Sequence, residues 1–434
     1  MGRKFLAISL VAMAMGVLAF TFPSDRQSSA ALELHLPQGE EALAQERILM
    51  IDHSGAISAV DPNSEEVVYR AEKGVVSPTM DLVYAQAQRS VTITAGATGT
   101  PLGRVASPTR MELEVASASG RLLAFAQPER PGGTEWMPAG RARTKIAVVA
   151  TNRIGRTRTY DLEGNYAIEA FSTDDRQLFL LEYMPAKNPW HYGLRRLVLA
   201  TGEVRDIKRT KQNAPGEMNG SGRLALFSPP GHELYTLYTQ QGPNYTHVDP
   251  QDARPDEVYA FIHLLNLDGA WTHCIDLPAP FGTGAATTHA MAISEDGSRL
   301  YVIDPSSGGV AVVDPRATRV LRAVTADLGA LQHGASASVS SDGTLYLAGR
   351  HQVLVFDGES LRLLRTFRVA RPISGITANA DGSKLYAGSK GRLLVLDART
   401  GRRLRTISVR GVVPTQLRAS YVGPAGLEPA TNGS

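Results

Sequence analysis

The chain has 434 residues and one cysteine, Cys274, so no disulfide within it can hold it together. Aromatic residues make up 6% of it, and no stretch keeps the 3.6-residue apolar period of a long amphipathic helix. A string of helical domains is thereby excluded. The formal charge is only +3, and basic pairs such as Arg195-Arg196 and Arg402-Arg403 are scattered, which leaves no electrostatic footprint for nucleic acid. Enzyme templates are missing as well. There is no Gly-x-Ser-x-Gly elbow, His-Glu-x-x-His helix, Gly-x-x-x-x-Gly-Lys phosphate cradle or paired-cysteine metal knuckle. The lone thiol lies in the alternating segment Trp271-Thr272-His273-Cys274-Ile275-Asp276. Neighbours in a strand point to opposite faces, so His273 cannot serve Cys274 as a base, and a buried structural thiol is expected.

What the chain does have is glycine, proline and repetition. Ser294-Glu295-Asp296-Gly297 precedes Leu300-Tyr301-Val302-Ile303-Asp304 and then Val310-Ala311-Val312-Val313-Asp314. Ser341-Asp342-Gly343 precedes Leu345-Tyr346-Leu347-Ala348 and then Val353-Leu354-Val355-Phe356-Asp357. Asp381-Gly382 precedes Leu385-Tyr386-Ala387 and then Leu393-Leu394-Val395-Leu396-Asp397. A period of about 40 residues, with Asp-Gly turns between short β-branched and aromatic strands, marks β-propeller blades. One four-stranded sheet cannot bury both of its faces, and a ring of such sheets can.

Weaker copies precede Leu234-Tyr235, Leu178-Phe179, Leu122-Leu123 and Leu82-Val83-Tyr84, and Ile48-Leu49-Met50-Ile51-Asp52 begins another. The repeat count is therefore eight, with seven as the alternative. The first unit lacks an inner strand, and Arg410-Gly411-Val412-Val413-Pro414 is placed to supply it, pairing the two chain ends and closing the ring. The fold predicted is all-β: a single propeller of four-stranded blades over residues 46–414.

The ends flank this ring. Gly2-Arg3-Lys4, the uncharged run 5–20 and the small residues Ser28-Ser29-Ala30 read as an export signal over residues 1–30, followed by a linker over 31–45. The apolar run is shorter than the roughly 20 residues of a membrane span, so cleavage is expected, with an uncleaved anchor as the alternative. The stretch Val422-Gly423-Pro424-Ala425-Gly426-Leu427-Glu428-Pro429 and the residues after it break the repeat, so residues 415–434 are expected to be an unstructured and non-native tail.

The units over 294–408 resemble the YVTN family of bacterial propellers, relatives of WD-type and NHL-type repeats. The resemblance rests on Leu300-Tyr301-Val302, Leu345-Tyr346-Leu347 and Leu385-Tyr386-Ala387, on the Asp-Gly turn before each, and on the aspartate closing each third strand. Ile303-Asp304 stands where the Thr-Asn of the family word would be, and the Trp-Asp pair is absent. Membership implies an extracytoplasmic scaffold and little chemistry.

Candidate sites fall on loops. In this register His289, His333 and Arg371 enter successive inner strands, where propeller ligands meet the central channel, and their convergence would make an anion site, with a metal as the alternative. The insertion 240–257 carries Tyr245, Asp249, Asp252, Asp256 and Glu257. Its oxygens are weak calcium candidates, because their spacing matches no ordered calcium loop. Its length suits a lid or partner surface. Pro185-Ala186-Lys187-Asn188-Pro189-Trp190-His191-Tyr192 sets aromatic residues in a connection, where Trp190, His191, Tyr192 and Tyr245 are candidates for docking a protein or glycan partner. Trp136, in a similar excursion, shares that reading. Asp314, Asp357 and Asp397 recur once per blade, as turn-forming residues do.

The expected function is a non-enzymatic, exported binding scaffold, monomeric, with a partner at the cell envelope, no cofactor and no nucleic acid. The alternative is a propeller enzyme, a lyase, lactonase or quinone-dependent dehydrogenase, working at the channel mouth around His289, His333 and Arg371.

Overall fold

Eight sheets follow one another along the chain, antiparallel except where Lys208–Arg209 adds a parallel fifth strand to Trp271–Asp276, in the computed structural model, which describes residues 45–52, 54–96, 98–133, 137–152, 156–211, 217–220, 222–239, 252–283, 288–331 and 335–422. The expected export signal, His333, Tyr245, Asp249 and Trp136 lie outside the described residues. Blade 1 begins with Gln45–Asp52, Ile57–Asp61 and Glu66–Ala71, and blades 2 to 4 run from Gly74–Val76 to Val204–Asp206. Blade 5 runs from Gly222–Phe227 to Trp271–Asp276, blade 6 from Ala290–Ile293 to Arg319–Thr325, blade 7 from Ser336–Val339 to Leu363–Ile373, and blade 8 from Gly375–Ala378 to Arg403–Ser408. Blade 7 counts three strands because Thr344–Asp357 fills its second and third positions, turning near Arg350 with φ 47°.

The ring closes as the eight-unit count requires, but through a later segment. Pro414–Val422 pairs antiparallel with Gln45–Asp52 and becomes the innermost strand of blade 1. Residues 410–411 form a turn before it. The expected boundary at 414 is therefore corrected, because residues 415–422 are ladder and not tail. The unpaired edge of Gln45–Asp52 offers hydrogen bonds that a frayed tail would leave unmade.

The recurring turns have one mechanism. At Ser294-Glu295-Asp296-Gly297 the Ser294 hydroxyl donates to Asp296 Oδ1 at 2.6 Å, the Ser298 N–H donates to the same oxygen at 3.0 Å, and Gly297 takes φ 69°. Ser340, Asp342 and Gly343 repeat it, with a 2.6 Å bond and φ 80°. The closing aspartates of the third strands cap the next turn. Asp357 Oδ1 accepts from Ser360 N at 2.7 Å, and Asp397 Oδ1 from Thr400 N at 2.7 Å.

The core is a set of layers between blades. In Leu300–Asp304, Leu300 and Val302 pack toward blade 5 while Tyr301 and Ile303 pack toward blade 7. Successive side chains point to opposite faces, and here both faces are covered, so second strands read as unbroken apolar runs.

Candidate functional site

The layer between blades 4 and 5 departs from this pattern. It holds an aromatic ladder, a polar cavity and an exposed tryptophan, all built on the hairpin joining Gln177–Met184 to His191–Val198.

The hairpin loop is fixed at both ends. Trp190 N–H donates to Met184 O at 3.0 Å, Asn188 N–H donates to Pro185 O at 3.1 Å, and Arg141 N–H from blade 3 reaches Ala186 O at 2.8 Å. On this base Trp190 remains 53% exposed. Its ring lies 4.0 Å from that of His191. His191 and Tyr192 do not share that exposure, which corrects their reading as docking residues. His191 is buried, with Nε2 3.2 Å from Glu217 Oε2. Tyr192 is 3% exposed and stands between Tyr183 and Tyr238, at centroid distances of 6.0 and 5.6 Å. Its backbone exchanges both hydrogen bonds with Met218, at 2.8 and 2.7 Å. An apolar ring gains more from that packing than from solvent.

Behind the ladder lies a cavity of about 310 Å³, lined by Arg195, Arg209, Lys211, Glu217, His263 and Cys274 among others. His263 and Cys274 are directly opposed partners in the antiparallel pair Ala260–Asn266 and Trp271–Asp276, so their side chains share one face. Burial, and then the charge of His273, push His263 down to about 4, so it is neutral at pH 7. Among the described residues its ring has no hydrogen-bond partner. Burial also pushes the Cys274 thiol up to about 11, although Lys211 draws it down. A neutral imidazole beside a neutral thiol supplies no thiolate nucleophile, but it offers one donor and one acceptor to a small polar guest.

The charges around the cavity are mostly paired. Lys211 Nζ meets Asp276 at 2.5 Å, and Arg195 meets Glu182 at 2.8 Å and Asp206 at 3.4 Å. His273, on the other face, meets the Thr210 hydroxyl at 2.9 Å, as strand alternation requires. The cross-strand partner His263 was beyond sequence reasoning, because which residue opposes Cys274 depends on ladder register and not on spacing.

The expected channel-mouth residues are arranged differently. His289 is buried, and its Nε2 lies 3.2 Å from Asp304 Oδ2, with the two side chains 2% and 0% exposed. Asp304 also accepts from Gly282 N at 3.0 Å and Ser306 N at 3.0 Å. Burial by itself would raise its pKa, but His289, Ser306 and Gly282 together hold it down to about 2. This is a structural clasp, which corrects the reading of His289 as an open ligand. Arg371 is an exposed residue of Leu363–Ile373.

Of the expected calcium residues, Asp252 and Asp256 are exposed, while Glu257 accepts from Arg254 at 3.1 Å and from the Tyr259 hydroxyl at 2.5 Å. Among the described residues no three His, Cys, Asp or Glu side chains gather closely enough to hold a metal.

No protein-family model matches the chain. No curated protein matches it either. Solved structures do. Apo AztD from Citrobacter koseri superposes with a TM-score of 0.54 at 14% identity, over 89% of this chain and 100% of that one. The dihydro-heme d1 dehydrogenase NirN, in complex with DHE, gives 0.52 at 14% identity over 88% of this chain and 77% of that one. At such identities the likeness speaks for the fold alone, and the eight sheets closed by Pro414–Val422 make this chain an eight-bladed β-propeller.

Proposed function

We propose that the chain is a non-enzymatic, exported propeller of YVTN-type repeats that binds a protein or glycan partner at the cell envelope through the rim of blades 4 and 5. One observation carries this reading. Trp190 is 53% exposed on a loop whose backbone is hydrogen-bonded into blades 3 and 4. An exposed aromatic on a fixed backbone loses little entropy when a partner covers it, which is what an anchor residue needs. Exposure on a mobile tip would not carry the same weight.

The test compares the full chain with Trp190→Ala on a glycan array and by chemical cross-linking in envelope fractions. A single glycan class or protein bound by the first and lost by the second is the expected result. A partner held equally by both would reject the site, and substrate turnover by the purified chain would reject the non-enzymatic reading. Residues 1–44 fused to a reporter that is active only outside the cytoplasm test the export half independently.

A further inference from the structure

The opposite side of the ring carries a feature that the Trp190 reading does not use. In blade 6 Val312 pairs with Arg322 and Val313 with Val320, so Leu321 bulges out of the ladder. Blade 7 does the same with Leu364, blade 8 with Leu404 and blade 1 with Val68. Each bulge sits opposite the two residues before the turn aspartate, Asp314, Asp357, Asp397 or Asp61, so the four bulged side chains stand at one level around one rim. They are 39%, 38%, 40% and 38% exposed.

A bulge is a known device for spoiling the outer edge of a sheet, and a polar residue would serve it as well. Four aliphatic residues in four successive blades need another reason. The charge around them supplies it. The outer strands Arg319–Thr325, Leu363–Ile373 and Arg403–Ser408 hold two, three and two arginines and no carboxylate. None of these arginines makes an ion pair among the described residues. On the far side of the ring, Arg143 is paired with Asp161 at 2.9 Å and Glu163 at 3.2 Å, and Arg205 is paired with Glu203.

We propose that the rim of blades 6 to 8, with its interleaved Leu321, Leu364 and Leu404, docks on an anionic phospholipid surface. Unpaired arginines meet headgroup phosphates, and the bulged leucines enter the boundary between headgroups and acyl chains. A soluble polyanion would use the arginines and leave the leucines in water.

The experiment is co-sedimentation of the full chain with phosphatidylcholine vesicles, with and without about one-third phosphatidylglycerol. Neutral vesicles report any binding by the apolar run 5–20, and the difference between the two reports the rim. Anionic vesicles are expected to bind more tightly, and added salt to weaken them. Arg322→Glu with Arg403→Glu should reduce that binding at least about tenfold. Lys145→Glu with Arg156→Glu, the same charge change on blade 3, should leave it unchanged and serves as the control for net charge. Leu364→Ser with Leu404→Ser should weaken what survives high salt. Equal binding to both vesicle types, no binding to either, or an equal loss in the blade 3 variant would overturn the proposal. So would heparin binding that is insensitive to the leucine changes, which would assign the rim to a soluble polyanion.

Discussion

The Tyr386 hydroxyl donates to Glu46 Oε2 at 2.6 Å, joining residues 340 positions apart in the chain. Both are buried, and Lys384 adds a contact of 3.7 Å to the same carboxylate. Tyr386 belongs to blade 8 and Glu46 to blade 1, so the bond crosses the seam where the ring closes. Tyr386→Phe keeps the ring packing and removes the donor, leaving a buried carboxylate with fewer partners. A loss of about 1–3 kcal/mol is expected in urea unfolding. A change under about 0.5 kcal/mol would mean that the seam rests on the ladder alone.

The His289–Asp304 clasp makes a prediction about pH. Asp304 is held at about 2 in the fold, below its ordinary value of 3.8, so its contribution is present above the ordinary value and is lost as pH falls toward 2. The urea midpoint should therefore drop steeply between about pH 4 and 2. Asp304→Asn should weaken that drop, and should cost about 1–3 kcal/mol at pH 7 because it gives the buried donors of Gly282 and Ser306 a weaker acceptor. An unchanged acid limb in the variant would show that other carboxylates govern acid unfolding.

Much of the ring is legible in the sequence, and the reason is local. Ser-x-Asp-Gly turns and apolar second strands are set by neighbours in sequence, so blades 6 to 8 can be read directly and the earlier ones by analogy. The closing strand is expected at 410–414 because Val412-Val413 looks like a strand, yet Pro414–Val422 pairs with Gln45–Asp52. Only the unpaired edge at the other end of the chain distinguishes the two. The site is less legible for the same reason. Trp190 can be marked from its loop, but His191 and Tyr192 turn inward because of Glu217 and Tyr238, residues of other segments. His263 can be linked to Cys274 only through register.

Cys274 offers a chemical check of the cavity. Its thiol is pushed from 9.0 to about 11, so at pH 8 the thiolate fraction falls about a hundredfold. Iodoacetamide should therefore label the native chain about a hundred times more slowly than an exposed thiol, and at the ordinary rate in urea. Mass spectrometry of the Cys274 peptide gives the rate. Native labelling as fast as that of glutathione would refute the neutral thiol described for this cavity.

The hairpin of blade 4 separates surface from core within three residues, and two substitutions measure that separation. Trp190 is 53% exposed and Tyr192 is 3% exposed, although residues two positions apart would share a face in a regular strand. The loop ends at Trp190, so the alternation begins only with His191, and Tyr192 falls inside the ladder with Tyr183 and Tyr238. Trp190→Ala removes a ring that mostly faces solvent, and the unfolding free energy should move by less than about 0.5 kcal/mol. Tyr192→Ala opens a cavity beside Tyr238 and Met218 and should cost about 3–5 kcal/mol. Thermal and urea unfolding of the two variants decide the point. A large loss at Trp190 would show that the ring props up the fold, and its exposure would then no longer speak for a partner.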